Sequence, residues 1–457
     1  MNAQPWCPKS YQELGVVWLI ERPHSGLLLD PGLGKTSTTL AAFQTLQAGG
    51  YVKHVLIVAP LRVAKTVWPI EATKWADFNN LTICDLTEKS AEQRIELLKR
   101  RFDIYVINPE SLEKLLDLDP WKYVELDMFV ADESTKFKDS STKRFKALKK
   151  HLHKFKRRVI LTGTPAPNGL ADLFGQMYVC DLGVSLGKYI THFRQKYMYQ
   201  SYDGFSWLMA PGADVKIYEL IKDKLLRLMA KDHLDMPELV PNVIPIKLTP
   251  KVREQYKVLE RDFLLKLQDP DQTVAVFNTA ALGVKLRQVA NGFLYDEDKR
   301  AIPIHNEKIE ALKELVEQMQ GRPLLVCYEF IEDARMIQAA FPDAVNIGGV
   351  KDTIKVVDDF NAGKIPLLIG HPKSMGHGLN LQELCKDICW YGITWDLELY
   401  QQAIARVWRQ GQPSPVVINH LIIAEGTKDE DVVDTLTSKD HTQNRLNDAI
   451  KRVVPRG

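Results

Sequence analysis

The sequence predicts an α/β protein built as two parallel-sheet lobes, with helical segments between and beside them. Three observations carry this. Short apolar runs alternate with amphipathic stretches from Gly26 to about Thr164. A long, charged segment from about 173 to 320 interrupts that alternation. The alternation then resumes near residue 320 and lasts to about 425. Apolar runs of this length read as strands buried on both faces, and parallel strands need crossover helices between them.

In the first lobe, expected over residues 1–175, the strand runs are GLLL before Asp30, HVLIVAP (54–60), DIYVIN (103–108), DMFVAD (127–132) and RVILTGTP (158–165). The segment 176–320 is expected to be mainly helical. EQYKVLERDFLLKL (254–267) and EKIEALKELVEQM (307–319) repeat apolar residues at three- and four-residue spacing. The second lobe, 321–425, carries PLLVCYE (323–329), AVNIGG (344–349), PLLIG (366–370), ICWYGITW (388–395) and PVVINHLIIA (415–424). The charged tail 426–457 is expected to be a helical brace. No fixed-period repeat or low-complexity tract occurs.

The 457 residues suit two or three domains, and 45% hydrophobic with 26% charged residues fits a globular protein. Sixty basic residues nearly cancel 58 acidic ones, so a nucleic-acid partner would have to meet local positive charge. No apolar stretch approaches the roughly 20 residues of a membrane span. The start, MNAQPWCPKSYQ, lacks the pattern of a secretion signal, and a cytoplasmic location is expected. The six cysteines are scattered and read as reduced thiols. His371, His377, Cys385 and Cys389 match no standard zinc spacing, and a metal is rejected there.

The strongest local signal is DPGLGKT (30–36), after an apolar run and before a helical pattern. Gly32 and Gly34 let backbone N–H groups face phosphate oxygens, and the helix opening at Lys35 adds its positive end. Lys35 would reach the β- and γ-phosphates, and the Thr36 hydroxyl would hold Mg²⁺. The strict pattern wants glycine at 29, where this chain has Leu29. Asp132 and Glu133 end the DMFVAD strand in the same lobe. An Asp there can bind the magnesium ion and the neighbouring Glu can orient the attacking water.

With these elements in place, the sequence resembles the superfamily-two helicase-type ATPases, and specifically the Swi/Snf family of DNA translocases. The resemblance covers nearly the whole chain. SYQELGVVWL (10–19) is similar to the adenine-recognition motif, which puts Gln12 on the adenine edge. LIVAPLRVAKTVWPIEATKW (56–75) resembles motif Ia, NPES (108–111) falls at motif Ib, and LTGTPAPNGLADLF (161–174) resembles motif III with its extension. KSMGHGLNLQ (373–382) resembles motif V and QQAIARVWRQGQ (401–412) motif VI; KLRQVANG (285–292) and GTKDED (426–431) fall where the family has comparable segments. The resemblance implies two RecA-like lobes, ATP with Mg²⁺, and double-stranded DNA as partner. It implies Arg406 and Arg409 as arginine fingers, and Gly376 and Gln402 as further nucleotide contacts. One place departs from the family's pattern. Motif II reads Asp132-Glu133-Ser134-Thr135, with Thr135 where His links the nucleotide site to motif III; a hydroxyl can donate there but carries no charge. That bears on the coupling of DNA to ATPase, not on hydrolysis itself.

Arg62, Lys65 and Lys373, with backbone N–H groups of motifs Ia and V, are the expected DNA contacts. The run KRFKALKKHLHKFKRR (143–158) holds no acidic residue. It reads either as a phosphate-tracking patch that includes Lys149 and Lys150, or as a solvated face. Trp68, Trp75, Trp395 and Trp408 sit in apolar patterns that favour core packing over base stacking. The expected function is an ATP-dependent duplex translocase that remodels or anneals DNA or displaces bound proteins, working as a stand-alone monomer and targeted by a partner protein or by DNA structure. A strand-separating helicase, disfavoured by the lack of an obvious β-hairpin pin, and a slow nucleotide-dependent switch are the alternatives.

Overall fold

The computed structural model describes residues 4–201, 207–266, 272–296, 298–375 and 379–450. They form two compact units. One runs to Leu234 and takes in the chain again from Lys439; the other is Asp235–Ser438.

The first unit holds a seven-stranded sheet in the order β3-β4-β2-β5-β6-β1-β9. Its strands are β1 (His24–Leu29), β2 (His54–Val58), β3 (Ile83–Asp85), β4 (Ile104–Ile107), β5 (Leu126–Asp132), β6 (Arg157–Thr162) and β9 (Leu225–Leu228). Every pairing in it is parallel. All seven residues of β5 are buried, as a strand covered by helices on both faces requires. A short antiparallel pair, β7 (Met198–Gln200) with β8 (Trp207–Met209), is present where no β-hairpin is obvious in the sequence.

The second unit holds six strands in the order β10-β17-β16-β13-β15-β14. They are β10 (Glu238–Ile246), β13 (Leu324–Cys327), β14 (Val345–Asn346), β15 (Leu367–Gly370), β16 (Asp387–Trp390) and β17 (Val416–Ala424), again all parallel. Successive residues of β13 alternate between two apolar layers: Leu324 and Val326 join one core, Leu325 and Cys327 the other. A second hairpin pairs β11 (Phe293–Tyr295) with β12 (Ala301–Pro303).

Two parallel-sheet lobes are therefore present, as the alternation predicted. The stretch 176–320 is less uniform than the sequence suggested. It supplies β9 to the first sheet and β10 to the second, and the units divide within it. Each strand hides for a local reason. Leu225–Leu228 reads LLRL, with a charge in the middle, and β10 contains Pro241 and Pro245, which read as breakers but are tolerated on an edge strand. No helix among the described residues is long and apolar enough to cross a membrane.

Candidate functional site

The parallel sheet of the first unit brings the ends of β5, β6, β1 and β9 side by side. Leu161 lies opposite Asp132, and Leu28 lies opposite both Thr162 and Arg227. The loop after β1 turns through Gly32 (φ +89°) and Gly34 (φ +76°) into the helix Lys35–Ala48. Both angles lie in the left-handed region that favours glycine. Gly34 also meets a close neighbour: a Cβ there would sit 2.3 Å from Gln12 Nε2. The Gln12 amide accepts from Lys9 N–H at 2.9 Å and donates weakly to the Leu33 carbonyl at 3.5 Å. Gln12 thus fastens the helix Ser10–Glu21 to the phosphate loop.

Lys35 is half-buried and donates from Nζ to the Leu29 carbonyl at 2.7 Å, across the loop. Burial pushes its pKa down, opposed by Glu133, Asp132 and Asp30. Asp132 is buried at the end of β5, and its Oδ2 accepts from the Trp68 indole at 2.9 Å. Burial first, then repulsion from Glu133, raises the Asp132 carboxyl to about 6. An acid held this far above its ordinary value gains when a cation joins it. The Thr36 hydroxyl, in the first turn of the helix Lys35–Ala48, is half-buried. Two hard oxygens of this kind fit a magnesium ion that keeps most of its waters.

Glu133 has φ +58°, a left-handed conformation, and turns the chain from β5 into the short 3₁₀ turn Ser134–Phe137. For a residue with a side chain this costs on the order of 1–2 kcal/mol, held by the surroundings. Thr162, at the end of β6, directs Oγ1 at Glu133 Oε2 at 3.5 Å and accepts from Thr164 N–H at 3.1 Å.

Sequence reasoning missed Arg227. Its buried guanidinium donates to the carbonyls of Leu28 at 2.9 Å and Gly163 at 3.3 Å, and pairs with the Asp30 carboxylate at 2.5 Å. Asp30 also accepts from Ala230 N–H at 2.8 Å. One side chain from β9 therefore clamps the ends of β1 and β6 and the first residue of the phosphate loop. The signal was an arginine inside an apolar run, which demands dedicated acceptors if it is buried. Trp68 is core, as its apolar pattern predicts, and its N–H also serves Asp132.

In the second unit, Asp396 caps the helix Leu397–Ile404. Gln402 is buried and donates to Glu398 at 3.1 Å, while its carbonyl accepts from Arg406 Nε at 3.0 Å. Arg406 Nη1 also reaches the Leu379 carbonyl at 3.3 Å. Arg409 donates to Asn380 Oδ1 and, at 3.5 Å, to Leu379, and its buried Nε has no partner among the described residues. The two arginines thus tie motif VI to motif V. Gly376 lies outside the described residues.

The expected DNA contacts divide. Arg62 is half-buried at the start of the π-helical turn Val63–Val67, Lys373 is exposed, and exposed Lys65 is paired with Glu88. Most of the basic run has protein partners. Arg144 pairs with Glu110, Lys154 with Asp119, and Lys156 with Glu125 and Asp127. Arg157 and Arg158 donate to backbone carbonyls. Lys149 does not project freely as a phosphate-tracking residue would. Its ammonium packs over the Tyr178 ring at 4.5 Å and near that of Tyr189. Lys143, Lys146 and Lys150 remain exposed without an ion pair to a described residue, lining a groove of about 320 Å³ with Glu113 and Asp117 opposite.

A lysine-bearing phosphate loop, a buried Asp-Glu pair at the end of β5 in the same sheet, and a second parallel-sheet unit with two arginines in the turn after the helix Leu397–Ile404 define a helicase-type ATPase core. The profile of the SNF2-related domain matches residues 11–292 and that of the helicase conserved C-terminal domain residues 307–411. The chain is 37% identical to putative protein p41 of Acyrthosiphon pisum secondary endosymbiont phage 1, over 97% of this chain and 99% of that one. It is 24% identical to the CHD3-type chromatin-remodeling factor PICKLE of Arabidopsis thaliana, over 88% of this chain but only 31% of PICKLE. Among solved structures, the Sulfolobus solfataricus SWI2/SNF2 ATPase core in complex with dsDNA is 21% identical. It covers 97% of this chain and 94% of that one with a TM-score of 0.46. The chain belongs to the SNF2-related family and is an ATP hydrolase of the helicase-like class.

Proposed function

We propose that the chain is an ATP-driven motor that moves along double-stranded DNA, remodelling or annealing it or displacing proteins bound to it. The observation that carries this reading is the division of phosphate chemistry between two compact units. Lys35, Asp132 and Glu133 lie on one, Arg406 and Arg409 on the other. A guanidinium aimed at a phosphoryl transition state contributes about 10³–10⁵ in rate. Hydrolysis that requires both units makes each turnover depend on their closure, and release on their opening. Membership of a family with a chromatin-remodeling relative supports DNA as the track.

In this reading Lys35 exchanges the Leu29 carbonyl for the β- and γ-phosphates, and the N–H groups around Gly32 and Gly34 take the remaining oxygens. Gln12 sets the adenine end. Mg²⁺, held by Thr36 and Asp132, would neutralise charge on the β- and γ-phosphates. Glu133 orients the attacking water, and Arg406 and Arg409 answer the charge of the transition state. Arg62, Lys65 and Lys373, with the exposed face of Lys143, Lys146 and Lys150, contact DNA phosphates, which carry little sequence information.

The test compares ATP hydrolysis on duplex, single-stranded and RNA substrates, together with displacement of a triplex-forming strand. Duplex should stimulate most and RNA least, and the third strand should be displaced while a blunt duplex stays paired. The β7–β8 hairpin keeps the strand-separating reading in play, because a hairpin can act as a pin. Efficient unwinding of the blunt duplex would favour that reading and end the translocase one.

A further inference from the structure

Gln176 lies in the helix Leu173–Asp181, every residue of which is buried. A buried primary amide destabilises unless its donors and acceptor are matched. Here they are. Oε1 accepts from the Ser134 hydroxyl at 2.7 Å, and Nε2 donates to the carbonyls of Pro165 at 2.6 Å and Asp172 at 2.9 Å. Ser134 follows Glu133, and Pro165 follows Thr164, whose N–H is bonded to Thr162. One side chain thus bridges the turn after β5 to the loop after β6, on either side of the Glu133–Thr162 contact. Gly175 makes the approach possible, since a Cβ there would lie 2.2 Å from the Phe137 carbonyl oxygen and 2.6 Å from that of Lys138.

We infer that Gln176 is a positioning residue for ATP hydrolysis. It holds the left-handed turn at Glu133 in register with the end of β6, so that the Glu133 carboxylate faces the attacking water. The inference rests on the reading of Glu133 as the water-orienting group. Glu133 needs such support: its backbone is strained, and its contact from Thr162 is long at 3.5 Å. Gln176 makes no hydrogen bond to the phosphate loop, so its removal acts on the chemical step more than on nucleotide affinity.

The experiment uses the full chain with saturating duplex DNA. Gln176→Leu removes all three bonds and should lower kcat at least five-fold while KM for ATP stays within two-fold. Ser134→Ala removes only the bond to motif II and should lower kcat by two- to five-fold, which keeps the inference testable if Gln176→Leu fails to fold. Gln176→Glu gives a readout that mere packing would not move. A carboxylate can donate to neither the Pro165 nor the Asp172 carbonyl, whereas a protonated acid can donate to one of them, so the ratio of variant to wild-type kcat should rise several-fold from pH 8 to pH 6. Wild-type kcat in both Gln176→Leu and Ser134→Ala, or a flat Gln176→Glu ratio, would overturn the inference. Glu133→Gln is the separate control. If it hydrolyses ATP at the wild-type rate, the water-orienting role of Glu133 fails, whatever the Gln176 variants do.

Discussion

Replacing Gly175 with alanine tests how closely the helix Leu173–Asp181 must approach the turn after β5. The added methyl would stand 2.2 Å from the Phe137 oxygen, which is backbone and has no rotamer to escape into. Relief to an ordinary contact requires a shift of about 1 Å, and overpacking of this kind costs about 1–3 kcal/mol. The same shift would stretch the 2.7 Å Ser134–Gln176 bond to roughly 3.7 Å, past hydrogen-bond range. A buried hydroxyl left unpaired adds about 1–3 kcal/mol. The sum, about 2–6 kcal/mol, corresponds to a fall of roughly 4–24 °C in the melting temperature of a unit this size. Differential scanning calorimetry and steady-state ATPase on the same preparation are the assays, with a kcat loss resembling that of Ser134→Ala. A Gly175→Ala protein that melts within 2 °C of wild type and keeps its kcat would show that the helix tolerates the methyl without moving.

Three further predictions concern charge. Asp132 is raised from 3.8 to about 6, so its contribution favours the fold below its unfolded pKa and is lost as pH rises through about 6. In metal-free buffer Asp132→Asn should therefore gain stability over wild type between pH 4 and 7, by up to about 3 kcal/mol in urea unfolding, while losing hydrolysis; a pH-independent difference would contradict this. Arg227→Met leaves the Asp30 carboxylate and two carbonyls without their cation, and should destabilise the first unit by about 3 kcal/mol and raise KM for ATP, with Arg227→Lys intermediate. Equal ATP KM values in all three proteins would show that the clamp does not reach the phosphate loop. Reversing Lys143, Lys146 and Lys150 together should flatten the salt dependence of duplex binding by about two to three units of slope. Reversing Lys154 and Lys156, already paired with acids, should change stability instead; an unchanged slope in the first set returns the face to plain solvation.

The parallel sheets and the phosphate loop were legible because their signals are local. GLLL followed by DPGLGKT, and DMFVAD ending in an acid pair, put strand, turn and chemistry within a few residues of one another. What escaped depends on distant partners. Arg227 finds Asp30 and Leu28 about 200 positions earlier, and Gln176 reaches back 42 residues to Ser134. The basic run misled in the same way. Lys154 looks free in sequence, yet its acid, Asp119, lies 35 residues upstream and Trp121 stacks beneath it. Thr135 marked a place where motif II departs from its family, but nothing nearby pointed to the glutamine that joins the preceding residue, Ser134, to motif III.

The first unit is assembled from two separated stretches of chain. Leu446, near the end of the helix Lys428–Ile450, is fully buried in its core, and Arg445 on the same helix pairs with Asp214. A ribosome delivers the chain from the N-terminus, so the bulk of this unit emerges first and the piece that seals it emerges last. Between the two, all of Asp235–Ser438 has to be made. The nascent first unit therefore waits with an unsealed apolar patch while some two hundred residues are synthesised, about 10–40 s at 5–20 residues per second. Chaperone demand during synthesis should be concentrated in that interval, and moving the terminal helix to the N-terminus by circular permutation should shorten it.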